Sequence, residues 1–141
     1  MIVADTSPLN YLVLIHQINL LPDLYGRVLT PESVLEELSA IETPQLVRNW
    51  VTNLPEWIEV LPLALTVHSD AVLMDERRGR QEAENRGLKP IGTLGVLVAA
   101  HNRRLIDLSA TIDALRQTSF HASPKLLAKI VNRSLPPTKG N

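Results

Sequence analysis

Four acidic side chains in this chain stand where short apolar runs end or a helix begins behind one. Asp5 closes Ile2-Val3-Ala4 and precedes Thr6-Ser7-Pro8, Glu37 lies inside "ESVLEEL", and Asp75 with Glu76 closes "AVLMDE". An ionised carboxylate drawn into a core costs several kcal/mol unless it is paired or coordinated. A strand end that opens onto a crevice avoids this cost, and in open α/β sheets ligands bind at the carboxyl ends of the strands. Carboxylates converging there repel one another, and a hard divalent cation relieves the repulsion. Magnesium and manganese favour oxygen ligands and leave waters available for hydrolysis of a bound phosphate. Asp5 also has a plainer reading as the N-cap of the next helix, with Pro8 near the first turn. His16, His68, His101 and His121 share no metal-ligand spacing and read as structural or surface residues.

Arg77, Arg78 and Arg80 follow the Asp75-Glu76 pair directly, where they could hold the phosphates flanking a reacting one. The same "ERRGR" reads equally well as an exposed first turn. The formal net charge of −1 conceals an asymmetry. Residues 1–70 hold nine acids against Arg27 and Arg48, a balance of −7, while residues 71–141 hold six acids against twelve bases, +6. One half can gather carboxylates around a cation and the other can offer charge to a polyanion.

These groups need a scaffold, and the hydrophobic pattern supplies one by alternating strand with helix. Ile2–Asp5 is a short apolar strand of the kind buried on both faces in a parallel sheet. The apolar positions between Leu9 and Leu21 follow helical spacing, so one helix is expected there, closed by Gly26. "RVLTP" predicts a strand stopped by Pro31, "ESVLEEL" a helix with acids in its first turns, "TPQLVRNWVTNL" an amphipathic helix, and "EWIEVL" an alternating strand. "DAVLMD" predicts a buried strand, "ERRGRQEAENRG" a polar helix ending at Gly87, "KPIGT" a short strand and "LGVLVAAHNRRLI" an apolar helix. "SATIDALRQ" and "SPKLLAKIVNR" predict two closing helices. The expected class is α/β: a Rossmann-like parallel sheet with helices on both faces.

A chain of 141 residues with 45% hydrophobic and 21% charged residues suits one globular domain, expected over residues 1–135, with a fraying tail over 136–141. Without cysteine, disulfide frameworks, thiolate metal sites and cysteine nucleophiles are excluded. No apolar stretch is long enough to span a bilayer, and the N-terminus lacks a signal-peptide pattern, so no membrane partner is expected and the cytoplasm is the default address. The stretch "LNYLVLIHQINLL" carries more apolar surface than one side of a small sheet can cover, so a homodimer through helix faces is expected.

"IVADTSPLNYL", "VLTPESVLEEL", "AVLMDERRGRQEAENRGLKPIGTLGVLVAAHNRRLI" and "FHASPKLLAKIV" together resemble the PIN-domain superfamily, in particular its branch related to VapC-type toxins. The resemblance runs nearly end to end. It implies a Rossmann-like sandwich, an Mg2+- or Mn2+-dependent endoribonuclease that cleaves RNA phosphodiester bonds, and a cognate antitoxin in a type II toxin-antitoxin pair. Carried onto this chain, it implies Asp5 as the first metal-binding acid with Thr6 or Ser7 as the hydroxyl beside it. It implies Glu37 as the acid of the second helix, and Asp75 or Glu76 as the acid after the fourth strand. Asp5, Asp75 and Glu76 are thus the expected metal ligands, with Glu37 a further catalytic acid, and Thr6, Ser7, Arg77, Arg78 and Arg80 the expected substrate contacts.

One segment departs from that pattern. The resemblance implies a helix with an acidic opening before the fourth strand, and this chain runs from "EWIEVLPL" to "DAVLMD" without it. Parallel crossovers take about a dozen residues or more, whereas about eight lie between Leu61 and the next strand, with Pro62 among them. A backbone break between Leu61 and Val67, near Pro62–Leu63, is expected if residues are absent from this chain; continuous Cα spacing of about 3.8 Å would mean a true deletion. The alternative function is therefore a catalytically impaired PIN-like binding or dimerisation protein with an incomplete acidic site.

Overall fold

A computed structural model describes residues 2–61 and 71–134. Five strands form one sheet: β1 (Ile2–Ala4), β2 (Val28–Pro31), β3 (Ile58–Leu61), β4 (Ala71–Leu73) and β5 (Lys89–Ile91). The order is β3-β2-β1-β4-β5 and every pairing is parallel. The chain steps outward from β1 to β2 and β3, then begins again beside β1 and steps the other way. The β1/β4 junction is therefore the topological switch point, where the connections diverge and leave a crevice at the carboxyl ends.

Eight helices are described. Helices α1 (Thr6–Leu14) and α2 (Leu20–Tyr25) connect β1 to β2, and α3 (Glu32–Leu38) and α4 (Gln45–Thr52) connect β2 to β3. Helix α5 (Arg77–Asn85) connects β4 to β5, and α6 (Thr93–Asn102), α7 (Leu108–Arg116) and α8 (Pro124–Ser134) follow. Right-handed crossovers stepping in opposite directions put their helices on opposite faces. The expected α/β class with helices on both faces is the one observed.

The core explains the pattern of apolar residues. Ile2, Ala4 and Val28 from the sheet meet Leu9 and Leu12 of α1, Leu38 of α3, Val47 of α4 and Leu97 of α6, all essentially solvent-free. Helix α1 packs on α3, α4 and α6, so its apolar residues are covered within the chain. Leu9, Leu12, Val13 and Ile15 are all buried in this way. The stretch that suggested a dimer thus spends its apolar surface on the chain's own core.

The expected single helix from Leu9 to Leu21 is two. His16 adopts a left-handed conformation, φ 59°. The His16 N–H donates to the Val13 carbonyl and the Gln17 N–H to the Leu12 carbonyl, at 3.0 and 2.8 Å. This is the Schellman termination, with histidine in the place usually held by glycine. Arg104 (φ 61°) ends α6 in the same manner, its N–H on the His101 carbonyl and that of Leu105 on Ala100. Gly87 (φ 77°) ends α5 likewise, where the sequence pattern placed a stop. Apolar spacing continued through His16 because the segments on both sides of the break bury residues in one core. Beyond Leu61, the connection through Pro62 and Val67 and the 136–141 tail lie outside the described residues.

Candidate functional site

Asp5 stands at the end of β1 in extended geometry and caps α1. Its Oδ1 accepts from the Thr6 N–H at 2.8 Å. The plainer reading of Asp5 is therefore realised, and it occupies one oxygen only: among the described residues no hydrogen bond is made to Oδ2. The Asp5 N–H donates to the Leu73 carbonyl of β4 at 2.9 Å. That bond continues the β1–β4 ladder past Ala4↔Leu73 and places Asp5 level with the exit of β4.

Thr6 links this strand end to the next. Its hydroxyl donates to Glu37 Oε2 on α3 at 2.7 Å, so the Glu37 carboxylate leans over the start of α1. Below them Thr30, fully buried at the end of β2, donates its hydroxyl to the Ala4 carbonyl at 3.1 Å. Thr6, Ser7, Asn10, Glu37, Glu42 and Thr43 line a small cavity here of about 330 Å3. Its walls combine hydroxyls, an amide and two carboxylates with the apolar Leu38, Ala40 and Pro44.

Asp75 leaves β4 two residues beyond Leu73. Its Oδ1 accepts from the Thr93 backbone N–H at 2.6 Å and its Oδ2 from the Thr93 hydroxyl at 2.7 Å. Thr93 is wholly buried at the first position of α6. The N-cap of that helix is Gly92, which has no side chain to cap with. Asp75 thus caps α6 from the neighbouring strand, and a carboxylate is favoured at that dipole end. The absence of a side chain at residue 92 is required, because a Cβ there would lie 2.9 Å from Asp75 Oδ1.

The neighbouring Glu76 is exposed at the N-cap of α5 and makes no side-chain capping bond. The pair that sequence could not separate is separated by packing: Asp75 is held and Glu76 faces solvent. Arg77, Arg78 and Arg80 are all exposed on α5. Arg80 alone of the three lines a cavity beside Asp75, and its Nη1 would lie 3.8 Å from a Cβ on Gly92. Among the described residues it enters no ion pair. The cavity, about 730 Å3, is lined by Asp75 and Arg80, by β5 from Lys89 to Ile91, by α6, and by Phe120 and α8. Tyr25 also lines it, and burial pushes the pKa of its phenol up from 10.0. His16 and His121 are exposed, His121 lining the same cavity as Asp75, His101 is half-buried, and His68 lies outside the described residues.

A family model described as a PIN domain matches residues 1–61 and 54–134 of the chain. The chain belongs to the PIN-domain family. No curated protein and no solved structure gives a match. The family match comes as two stretches that meet at β3, just before the short connection to β4. The five-stranded parallel sheet agrees with the family, and PIN domains are nuclease-type proteins that generally use divalent metals and bind RNA.

Whether this PIN domain's residues suit a divalent ion is a question of donor chemistry. Among the described residues no group of three or more His, Asp or Glu side chains is placed to ligate one ion. Among these described residues an all-protein cage is therefore not formed. Magnesium does not require one: it is commonly held through one or two carboxylates, with waters and substrate phosphates completing its shell. Asp5 with its open Oδ2 and Asp75 on the adjacent strand end fit that description. Thr93, Gly92 and Thr30 went unread as site residues. Nothing in the local run "KPIGT" shows that its threonine reaches back across 18 residues to a carboxylate.

Proposed function

We propose that this PIN domain is a metal-dependent endoribonuclease whose site is the β1/β4 crevice, with Asp5 and Asp75 as the ion-holding carboxylates. The observation that carries the reading is their placement on adjacent strand ends at the switch point of the sheet, with Arg80 beside Asp75. Mg2+ or Mn2+, when bound, supplies Lewis acidity and a water of lowered pKa for attack on phosphorus. The chain's own residues do the rest. Thr93 holds both Asp75 oxygens in one orientation, and the Thr6 N–H fixes Asp5. Glu37, kept in place by the Thr6 hydroxyl, is positioned as a proton acceptor near the crevice. Arg80 binds a phosphate flanking the cleaved one, with Arg77 and Arg78 adding long-range attraction.

The finer role is that of a toxin silenced by an antitoxin protein, as the resemblance to the VapC-type branch suggests, working in the cytoplasm as a homodimer. Apolar residues left in solvent around α4, Ile41 at 81% and Leu46 at 42% exposed, support self-association. No described helix is long and apolar enough to cross a membrane.

A second reading, a PIN fold retained for binding without catalysis, draws on the absence of a three-carboxylate group among the described residues. One experiment separates the two. Single-stranded RNA incubated with the protein and Mg2+ or Mn2+ is expected to be cleaved, with cleavage abolished by EDTA and reduced on the order of a hundredfold or more by Asp5→Asn. RNA left intact by well-folded protein in both metals favours the binding module.

A further inference from the structure

We propose that Lys125, Lys129 and Arg133 on α8 form a track, outside the crevice, for the phosphate backbone of an RNA held at the β1/β4 site. The proposal rests on the nuclease reading and adds to it a second anchoring surface for the substrate. The three cations are exposed and recur every fourth residue. Positions four apart on a helix are turned by about 40° and rise by about 6 Å, so the cations form one line about 12 Å long. Rotation about the helix axis fixes what borders this line. Leu127 is buried and Val131 packs on the core, and their direction is about 180° from that of the cations. Leu126 and Ile130 line the cavity that Asp75 and Arg80 also line, and they point about 80° from the cations. Going round α8, core, cavity wall and cations follow in turn, which sets the cations on the outer lip of that cavity.

The charges of α8 are unlike those of the other helices. Among the described helices it alone carries more than one Lys or Arg and no Asp or Glu. Other exposed cations find acids: Arg27 pairs with Glu59, Arg86 with Glu82 and Arg116 with Asp113. The three cations of α8 enter no ion pair among the described residues. Like charges four apart destabilise a helix, and Lys125, the second residue of α8, sets a cation at the dipole end that disfavours it. A polyanion laid along the line relieves both costs. Local preferences broken together are expected where function imposes them, and a row of cations matches a chain of repeating phosphates, read without regard to base sequence.

The test uses the full chain with two labelled single-stranded RNAs, one of about four nucleotides and one of about sixteen, and calcium as the cation so that binding is read apart from turnover. Lys125→Gln, Lys129→Gln and Arg133→Gln combined should weaken the longer RNA on the order of tenfold at about 0.1 M salt and leave the shorter one unchanged. The slope of log affinity against log salt should fall by about 2, the value for three phosphate contacts on a single strand. The variant loses like-charge repulsion and no core residue, so it should melt no lower than the parent; Lys129→Gln alone should give about a third of the slope change. Lys125→Arg with Lys129→Arg keeps the charge and should bind as the parent does. Neutralising Arg27, Arg86 and Arg116 removes the same charge from surface ion pairs and should leave binding of the longer RNA near that of the parent. Equal losses from the two triple variants, or an unchanged slope in the α8 variant, overturn the proposal. A loss confined to vesicles containing phosphatidylserine also overturns it and gives the line to a membrane surface. If the longer RNA depends on α8 but neither RNA is cleaved in Mg2+ or Mn2+, the track stands and the nuclease falls. Metal-dependent cleavage with binding of the longer RNA undisturbed by the α8 variant removes the track and leaves the nuclease.

Discussion

Thr93 grips both oxygens of Asp75, the backbone N–H at 2.6 Å and the hydroxyl at 2.7 Å, although the two residues belong to different elements. One carboxylate therefore caps a helix and lines the adjoining cavity at the same time. The hydroxyl half of this grip can be removed without changing volume. Thr93→Val should cost about 1–3 kcal/mol, the range for a hydrogen bond to a charged group, and should lower metal-dependent cleavage about tenfold or more. Thr93→Ser should keep the cleavage and lose only about 1 kcal/mol for the buried methyl group. Chemical denaturation together with a cleavage assay reads the two effects, and a Val variant that cleaves like the parent would show the hydroxyl to be structural only.

Gly92 is the close-approach partner of the same carboxylate, since a Cβ there would stand 2.9 Å from Asp75 Oδ1. Gly92→Ala is expected to destabilise by about 1–3 kcal/mol through this overlap. The cost should largely vanish in an Asp75→Ala background, because the group that is struck is gone. A double-mutant cycle on denaturation midpoints measures that coupling. Additive costs would place the strain elsewhere.

His16 and Arg104 hold left-handed backbone at φ 59° and 61°, where a β-carbon is disfavoured by about 1–2 kcal/mol. Glycine removes the steric cost but adds unfolded-state entropy of about 0.5–1 kcal/mol. His16→Gly and Arg104→Gly should each therefore raise stability by a few tenths to about 1 kcal/mol. His16→Val should lower it, since a β-branched residue fits this region worst. Thermal melts of the three variants test the order.

Burial raises the Tyr25 phenol above 10.0 in the folded chain. The folded state then holds this proton more tightly than the unfolded state. The resulting stability is fully present below pH 10 and is lost as pH climbs from 10.0 through the raised folded value. Tyr25→Phe should flatten that part of the fall when melts are compared at pH 9 and above, and identical slopes would show that the phenol does not contribute.

Ile41 and Leu46 are the apolar residues offered for self-association, at 81% and 42% exposure. Light scattering at micromolar concentration should give a mass near twice the 15.7 kDa of one chain, and Ile41→Asp should return it to one. A parent protein that already scatters as a single chain would remove the dimer.

The residues themselves determined the alternation of strand and helix, the parallel sheet and the position of two carboxylates at strand ends. Each of these depends on windows of four to about fifteen residues, over which periodicity and end signals act. The Gly87 stop was readable for the same reason, since left-handed backbone favours glycine. His16 was not, because a non-glycine residue in that conformation carries no local signal and the apolar spacing runs through it. Other features required the sheet to be assembled. Asp75 rather than Glu76 is held because β4 and β5 are neighbours, which brings Thr93 across 18 residues. Glu37 meets Thr6 across 31 residues because β1 and β2 pair and set α3 beside α1. A hydrogen bond of 2.7 Å is decided by strand order and register, and no short window of the chain contains both.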